Sequence, residues 1–390
     1  PMKPDAPRTL GPALDVMNSL AVSGDSHARI MANVARLAVM HDESGQPCVL
    51  FRNEPWCNGA VWSLNPNPWL GLTGPAKPGE NTTNLPLNAG TVHWNEEIKE
   101  RLYGPNSKGK LDGEYLDSLE GYVTAELNFR REHFKYTTVP LAFDTSSKQP
   151  ALFKGLAVFE FTKWIADDVH RMGRLTFANG VPYRFTFLCP WLDVLGTEID
   201  WLSGGTYRPA PHSTMVLWRT MAGRKPYLLL MNSNYDRFTP ELVEKYFQRC
   251  LFYGMWPGFF SHNASENPYW QNPKWYERDR PVFKKYVPVI RSVSEAGWQP
   301  ITHAHTTNPH IWIERFGPDR KGKVFFTCFN DAEVTQTGWL RFNASALGSP
   351  KTPRVTELLS GTEVKPENGG LEIALQPAEA KVFCLEWDAR

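Results

Sequence analysis

The sequence predicts an α/β chain: a (β/α)8-type (TIM) barrel over residues 1–304, lacking its first repeats, followed by an antiparallel β-sandwich over residues 305–390. Three observations predict it. Short apolar runs alternate with helically spaced segments as far as the 290s. Polar and charged groups gather where the apolar runs end, the face on which a barrel builds its site. Beyond His305 the helical spacing stops, and short strands follow between Gly, Pro, Asn and Asp turns.

Taken in order, residues 25–40 carry Ile30, Val34, Leu37 and Val39 at helical spacing, with Asp25 and Ser26 ready to cap. Residues 47–51 read as a short buried strand that ends in a polar, aromatic loop, 52–59. Residues 65–88, dense in Pro, Gly, Asn and Thr, read as a long excursion loop. A helix over 94–103 leads to a strand over 113–116, and another strand fits 138–143. A helix over 151–171 presents Phe153, Leu156, Val158, Phe161, Trp164 and Ile165. Strand-then-turn patterns follow at 174–180 and 227–236, with an acid-bearing strand end at 190–201 between them. Helices over 240–252 and 280–296 complete this part. The strands are too few for eight repeats, so a preceding segment or a second chain is expected to complete the barrel. In the closing region strands are expected at 310–316, 323–329, 339–342, 354–358, 371–375 and 381–385.

Composition narrows the function. With 42 basic and 41 acidic residues the net charge is +1, which gives no electrostatic reason to expect nucleic acid or an anionic membrane. No run approaches the ~18 apolar residues of a membrane span. Aromatics are the outlying feature: 15 Trp, 13 Tyr and 22 Phe make 13% of the chain. Indoles stack on the apolar faces of sugar rings, although most of these rings belong to the core on burial energy alone. The six cysteines form no C-x-x-C pair and read as small buried hydrophobes, with Cys48 and Cys57 close enough in sequence to pair across a loop. They leave the compartment open, with an extracellular or periplasmic one favoured. Sequons at Asn81, Asn263 and Asn343 matter only where the source glycosylates.

The candidate chemistry lies in two segments, 113–122 and 190–201, each with carboxylates after an apolar run. Cleaving a glycosidic bond needs one carboxylate at the anomeric carbon and one acid at the leaving oxygen. Asp117, directly after Tyr115-Leu116, suits the first role, with Glu120 as substitute. Asp117-Ser118-Leu119-Glu120 also fits a helix cap with its third-position acid. Glu198, in Leu195-Gly196-Thr197-Glu198 between Trp191 and Trp201, suits the acid, because apolar surroundings raise a carboxyl pKa. Asp193 is its near equal, and either could instead pair with Arg184 or Arg208. Expected sugar ligands are Glu54, Trp56, Asp144, Trp191, Asn232, Asp236, Trp256 and His262. Asn232 to Asp236 fits an Asx turn equally well. His303, His305 and His310 lack metal spacing, and neither a G-x-S-x-G elbow nor a glycine-rich cofactor loop is present, so no metal and no cofactor are expected.

A strand-end Tyr115-Leu116-Asp117, a later carboxylate segment from Asp193 to Asp200 and a C-terminal sandwich together resemble glycoside hydrolases of the retaining α-galactosidase-like superfamily. The resemblance implies a fourth-strand nucleophile, which falls on Asp117, and an acid from a later strand. The lysine often found two residues before that nucleophile is replaced here by Tyr115. The expected activity is a retaining glycosidase acting on an oligosaccharide or glycoconjugate. A non-catalytic carbohydrate-binding barrel and a polysaccharide lyase are the alternatives.

Overall fold

The computed structural model describes residues 6–54, 57–72, 85–121, 126–262, 267–367 and 369–387. The chain divides into two compact units, Pro1–Leu192 and Asp193–Arg390.

The first unit opens with two helices, α1 (Leu10–Leu20) and α2 (Ser26–Ala38). Asp25 caps α2, accepting from the backbone N–H groups of His27 and Ala28, and such a cap contributes about 1 kcal/mol. Strands β1 (Val49–Glu54) and β2 (Cys57–Trp62) form an antiparallel hairpin. This corrects the expectation for 47–59: Arg52, Asn53 and Glu54 belong to a strand, and no parallel barrel strand starts here. Next come α3 (Glu96–Tyr103) and the short strands β3 (Gly113–Leu116), β4 (Leu127–Asn128), β5 (Ala142–Phe143) and β6 (Pro150–Phe153), then α4 (Lys154–Arg171) and β7 (Leu175–Asn179). The strand expected over 138–143 shrinks to two residues in an antiparallel β4-β6-β5 sheet. Ala151 to Phe153, read as the first helical turn, are extended instead. The only parallel pairing of this unit, among the described residues, joins β3 to β7.

Half of the expected excursion loop, 73–84, lies outside the described residues. Its flanks are buried and polar. Asn67 donates to the Glu160 carboxylate at 2.8 Å, and Asn88 donates to the carbonyls of Pro68 and Leu70 at 2.8 and 3.0 Å. His133, 2% exposed, accepts at Nδ1 from Asn128 (2.9 Å) and faces the Leu37 carbonyl through Nε2 at 3.0 Å. Those partners fix the neutral tautomer. Burial, reinforced by the Arg130 charge, pushes the imidazole down to about 4.

The second unit begins with β8 (Val194–Ile199), α5 (His212–Ala222), β9 (Tyr227–Met231), α6 (Pro240–Tyr253), β10 (Trp256–Phe259) and α7 (Pro273–Ala296). Strands β8, β9 and β10 pair in parallel in that order. Thr239 caps α6, Pro240 opens it, and Gly254 closes it at φ +62°. A side chain at Gly254 would meet the Phe316 ring at 2.6 Å, so the turn needs glycine twice over. Among the described residues there is no closed barrel, which corrects the expected (β/α)8 ring while leaving its β-α-β grammar in place.

Nine antiparallel strands finish the chain: β11 (Trp298–Gln299), β12 (Ala304–Thr306), β13 (Ile311–Phe316), β14 (Val324–Asn330), β15 (Gln336–Phe342), β16 (Arg354–Glu357), β17 (Thr362–Val364), β18 (Gly370–Leu375) and β19 (Ala380–Glu386). They form a six-stranded sheet, β11-β13-β14-β19-β16-β17, and a three-stranded sheet, β12-β15-β18. Val324, Phe326, Cys328, Leu340, Leu371, Ile373, Phe383 and Leu385 fill the space between them. The six expected strands are present, and β11, β12 and β17 are additions. This sandwich is joined to α5 and α6 by polar contacts as well as packing. Thr327 donates to the Phe252 carbonyl at 2.7 Å, and the Ala380 N–H donates to Gln248 at 2.7 Å. Arg219 bridges to Glu314 at 3.1 Å and lies 3.7 Å from the Trp298 ring centroid. Burial raises Glu314, against the pull of that guanidinium.

Candidate active site

Strand β3 begins at a glycine for a steric reason: a Cβ on Gly113 would stand 1.8 Å from the Leu175 carbonyl oxygen of β7. Side chains then alternate between two faces. Glu114 accepts from Tyr103 of α3, and Leu116 packs with Trp94, Ile165 and Val169. Tyr115 and Asp117 therefore stand on the face turned away from the helices. Tyr115 is 49% exposed, and its ring lies 4.9 Å from that of Phe177, its register partner on β7. The exposed Asp117 carboxylate accepts from the Tyr115 hydroxyl at 3.1 Å and from the Asn179 amide at 3.1 Å. Asn179 is the last residue of β7 and is buried. The chain leaves β3 through Ser118, which adopts φ +47°, a left-handed conformation uncommon for a side-chain-bearing residue.

Glu120 has another role. It is 3% exposed and accepts from the backbone N–H groups of Tyr183 (2.7 Å) and Arg184, while the Arg184 guanidinium donates to its carbonyl at 3.2 Å. It ties one turn to another. Residues 117–120 form a turn rather than the first turn of a helix, so neither the cavity role nor the helix cap is realised.

The second unit repeats the pattern. Leu195 and Thr197 are buried on the helix side of β8, where Thr197 accepts from Tyr227 at 2.9 Å and the Tyr227 ring stacks on Trp218 of α5. Glu198 and Asp200 alternate to the other face. Asn232, directly after β9, donates its amide N–H to the Glu198 carboxylate and accepts from both the N–H (3.3 Å) and the hydroxyl (3.0 Å) of Ser261, just after β10. Asp200 accepts from the Ser233 hydroxyl and from the Leu202 N–H, each at 2.8 Å. Behind this row the buried Tyr235 donates to the Met231 carbonyl at 2.6 Å, and burial raises its phenol. The ends of three neighbouring strands are thus stitched sideways through side chains.

Asp200, Ser233 and Ser261 were not singled out in the sequence. Their signal is a short polar residue immediately after an apolar strand. Glu198 is exposed and lies within a regular strand, so the expected apolar surroundings are missing. Trp191 packs instead on Phe159 of α4 at 6.0 Å, with the Lys163 ammonium 4.6 Å from its ring, and Trp201 edges onto Tyr246 at 5.5 Å. Asp193 precedes β8 and so stands at the opposite end of the strand from Glu198.

Other expected ligands disperse. Trp256 opens β10 rather than ending it and donates to Ser294 of α7 at 2.9 Å. Asp236 bonds Lys274 (2.9 Å) and the Trp275 indole (2.8 Å), which hold its carboxyl below the usual range, and His262 stacks on Trp275 at 5.3 Å. Asp144 accepts from the N–H groups of Ser146 (3.2 Å) and Ser147, closing the β5–β6 turn. Glu54 ends β1 opposite Cys57. Trp56 lies outside the described residues, as do Asn81 and Asn263. All six cysteines are free thiols. Among the described residues no three His, Cys, Asp or Glu side chains converge as metal ligands.

No protein-family model matches the chain, and no curated protein matches it. Solved structures similar to parts of it include a GH27 β-L-arabinopyranosidase from Geobacillus stearothermophilus, at 13% identity and TM-score 0.37, covering 60% of this chain and 55% of that one. A GH30 endoxylanase from Clostridium papyrosolvens is 12% identical at TM-score 0.34, covering 62% and 63%. α-Galactosidase I from Mortierella vinacea is 9% identical at TM-score 0.38, covering 59% and 63%. The chain spans less than two thirds of the length of each of these three, and scores this low do not establish a shared fold. The solved structures it resembles are those of glycoside hydrolases.

Proposed function

We propose that this protein is a glycoside hydrolase, with Asp117 as the nucleophile and Glu198 as the acid/base of a retaining reaction. One observation carries the reading. Each carboxylate stands at or near the C-terminal end of a parallel strand, on the face away from the helices, and each accepts from an asparagine at the end of the neighbouring parallel strand: Asp117 from Asn179, Glu198 from Asn232. Amide donors stabilise an ionised carboxylate and fix its direction, which a nucleophile requires. Beside Asp117 the exposed Tyr115 ring offers an apolar surface to a sugar face. Glu198 is open to solvent as it stands, so a bound sugar must itself cover it and exclude water from the reacting bond. The sandwich, 305–390, is an accessory domain in this reading.

The test is turnover of a panel of aryl α- and β-glycosides by the native protein and by Asp117→Asn. The expected result is hydrolysis that falls by about a thousandfold or more in the variant while its unfolding midpoint is unchanged. The first-formed product, read by NMR, should keep the anomeric configuration of the substrate. Equal turnover by both proteins removes Asp117 from the mechanism. Tight glycan binding without turnover identifies a binding module, and a product absorbing in the near ultraviolet identifies a lyase.

A further inference from the structure

We infer that Asn232 is a positioning residue that aims the Glu198 carboxylate, rather than a ligand for a sugar hydroxyl. The inference rests on the glycosidase reading for its catalytic consequence, but its geometry stands apart from that reading. Asn232 is 6% exposed, and both ends of its amide are engaged. The amide orientation follows from its partners alone. The Ser261 N–H can only donate, so the oxygen must face Ser261 and the nitrogen is left to face Glu198. Its own backbone N–H donates to the Ile199 carbonyl at 2.8 Å, which registers the end of β9 against the end of β8. One side chain therefore spans the ends of three strands and delivers a fixed donor to an exposed carboxylate.

The directed bond from Asn232 narrows the rotamers of Glu198 before any substrate arrives, and a misplacement of about 1 Å can cost a hundredfold in rate.

Two variants separate donor from scaffold. Asn232→Asp keeps the size and the acceptor for Ser261 but has no donor for Glu198; Asn232→Ala removes both. The expected kinetic result is a fall in kcat of about ten- to a hundredfold in both, with KM within about threefold. A substrate ligand would raise KM instead. A second measurement needs no turnover. The Asn232 side-chain amide pair, assigned in a ¹⁵N–¹H spectrum by its loss in Asn232→Asp, should shift in Glu198→Ala and exchange with solvent about tenfold faster. An Asn232 amide indifferent to Glu198→Ala, or full kcat in Asn232→Asp, overturns the assignment. If the amide responds while Glu198→Gln leaves turnover intact, the positioning contact stands and the catalytic reading of Glu198 fails.

Discussion

The two carboxylate–asparagine pairs use one device at two depths. In the first unit Asn179 reaches Asp117 from β7, and the second donor comes from Tyr115, an exposed residue of the same strand. The turn that follows is anchored by its own buried carboxylate, Glu120, to the backbone of residues 183 and 184, and passes through a serine in left-handed conformation. In the second unit Asn232 is itself locked by Ser261 from a third strand, and Asp200 is tied to Ser233 in parallel with it. The lesson is that a strand end can be made rigid either by lateral stitching or by anchoring the loop that leaves it. Lateral stitching spreads the load over several weak bonds; anchoring concentrates it on one residue.

The sharpest way to break the comparison is Glu120→Ala. It leaves the backbone N–H groups of Tyr183 and Arg184 without their carboxylate acceptor and should cost about 3 kcal/mol in urea unfolding. The amides of 117–121 should lose protection from hydrogen exchange while β8 to β10 keep theirs. Equal loss in both places would mean that the two strand ends do not differ as described.

Acid provides a second contrast. His133 folds as the neutral imidazole at about 4, against 6.5 when unfolded. Its contribution is complete above pH 6.5 and is lost as pH falls toward 4, because the unfolded chain binds the extra proton first. A shift of this size corresponds to about 3 kcal/mol over that window. His212, on α5, is lowered to about 4 as well, by burial and by Arg249, and should contribute about as much over the same window. His133→Gln and His212→Gln should therefore flatten the pH dependence of stability alike, and a clearly larger effect of either would place the acid weakness in its own unit.

Ser261→Ala is the mildest probe. It removes one of the two bonds that Asn232 accepts and leaves the backbone N–H in place, so a cost of about 1 kcal/mol is expected in urea unfolding. A cost equal to that of Glu120→Ala would show that the stitched end concentrates its load too.

Much of the architecture was legible because period and punctuation agreed. Asp25 announced α2, and β13 to β16, β18 and β19 alternated or ran apolar between turn residues. The failures have a common physical origin. The run 47–59 has strand propensity, but propensity does not say whether the neighbouring strand runs parallel or antiparallel. Glu120 and Glu198 look alike in sequence as acids among apolar residues, yet one is sealed by backbone donors from residues 183 and 184 and the other faces solvent. Only long-range contacts decide which. Asp236 and Trp256 followed the same logic of a polar or aromatic residue near an apolar strand, and each turned out to serve α7 instead. The position of Asn232 just after a strand was legible, but its two-sided bonding was not.

The joints between α6 and the closing sheets have an evolutionary consequence. Helix α6 surrenders a carbonyl to Thr327 and a side chain to the Ala380 amide, and its terminal glycine turn is shaped around Phe316. A region fastened in this way is not a portable cassette. Recombination that swapped it for an unrelated sandwich would inherit a helix with unmet polar groups and an ill-fitting corner, so lineages carrying this chain should keep helix and sandwich as one hereditary block.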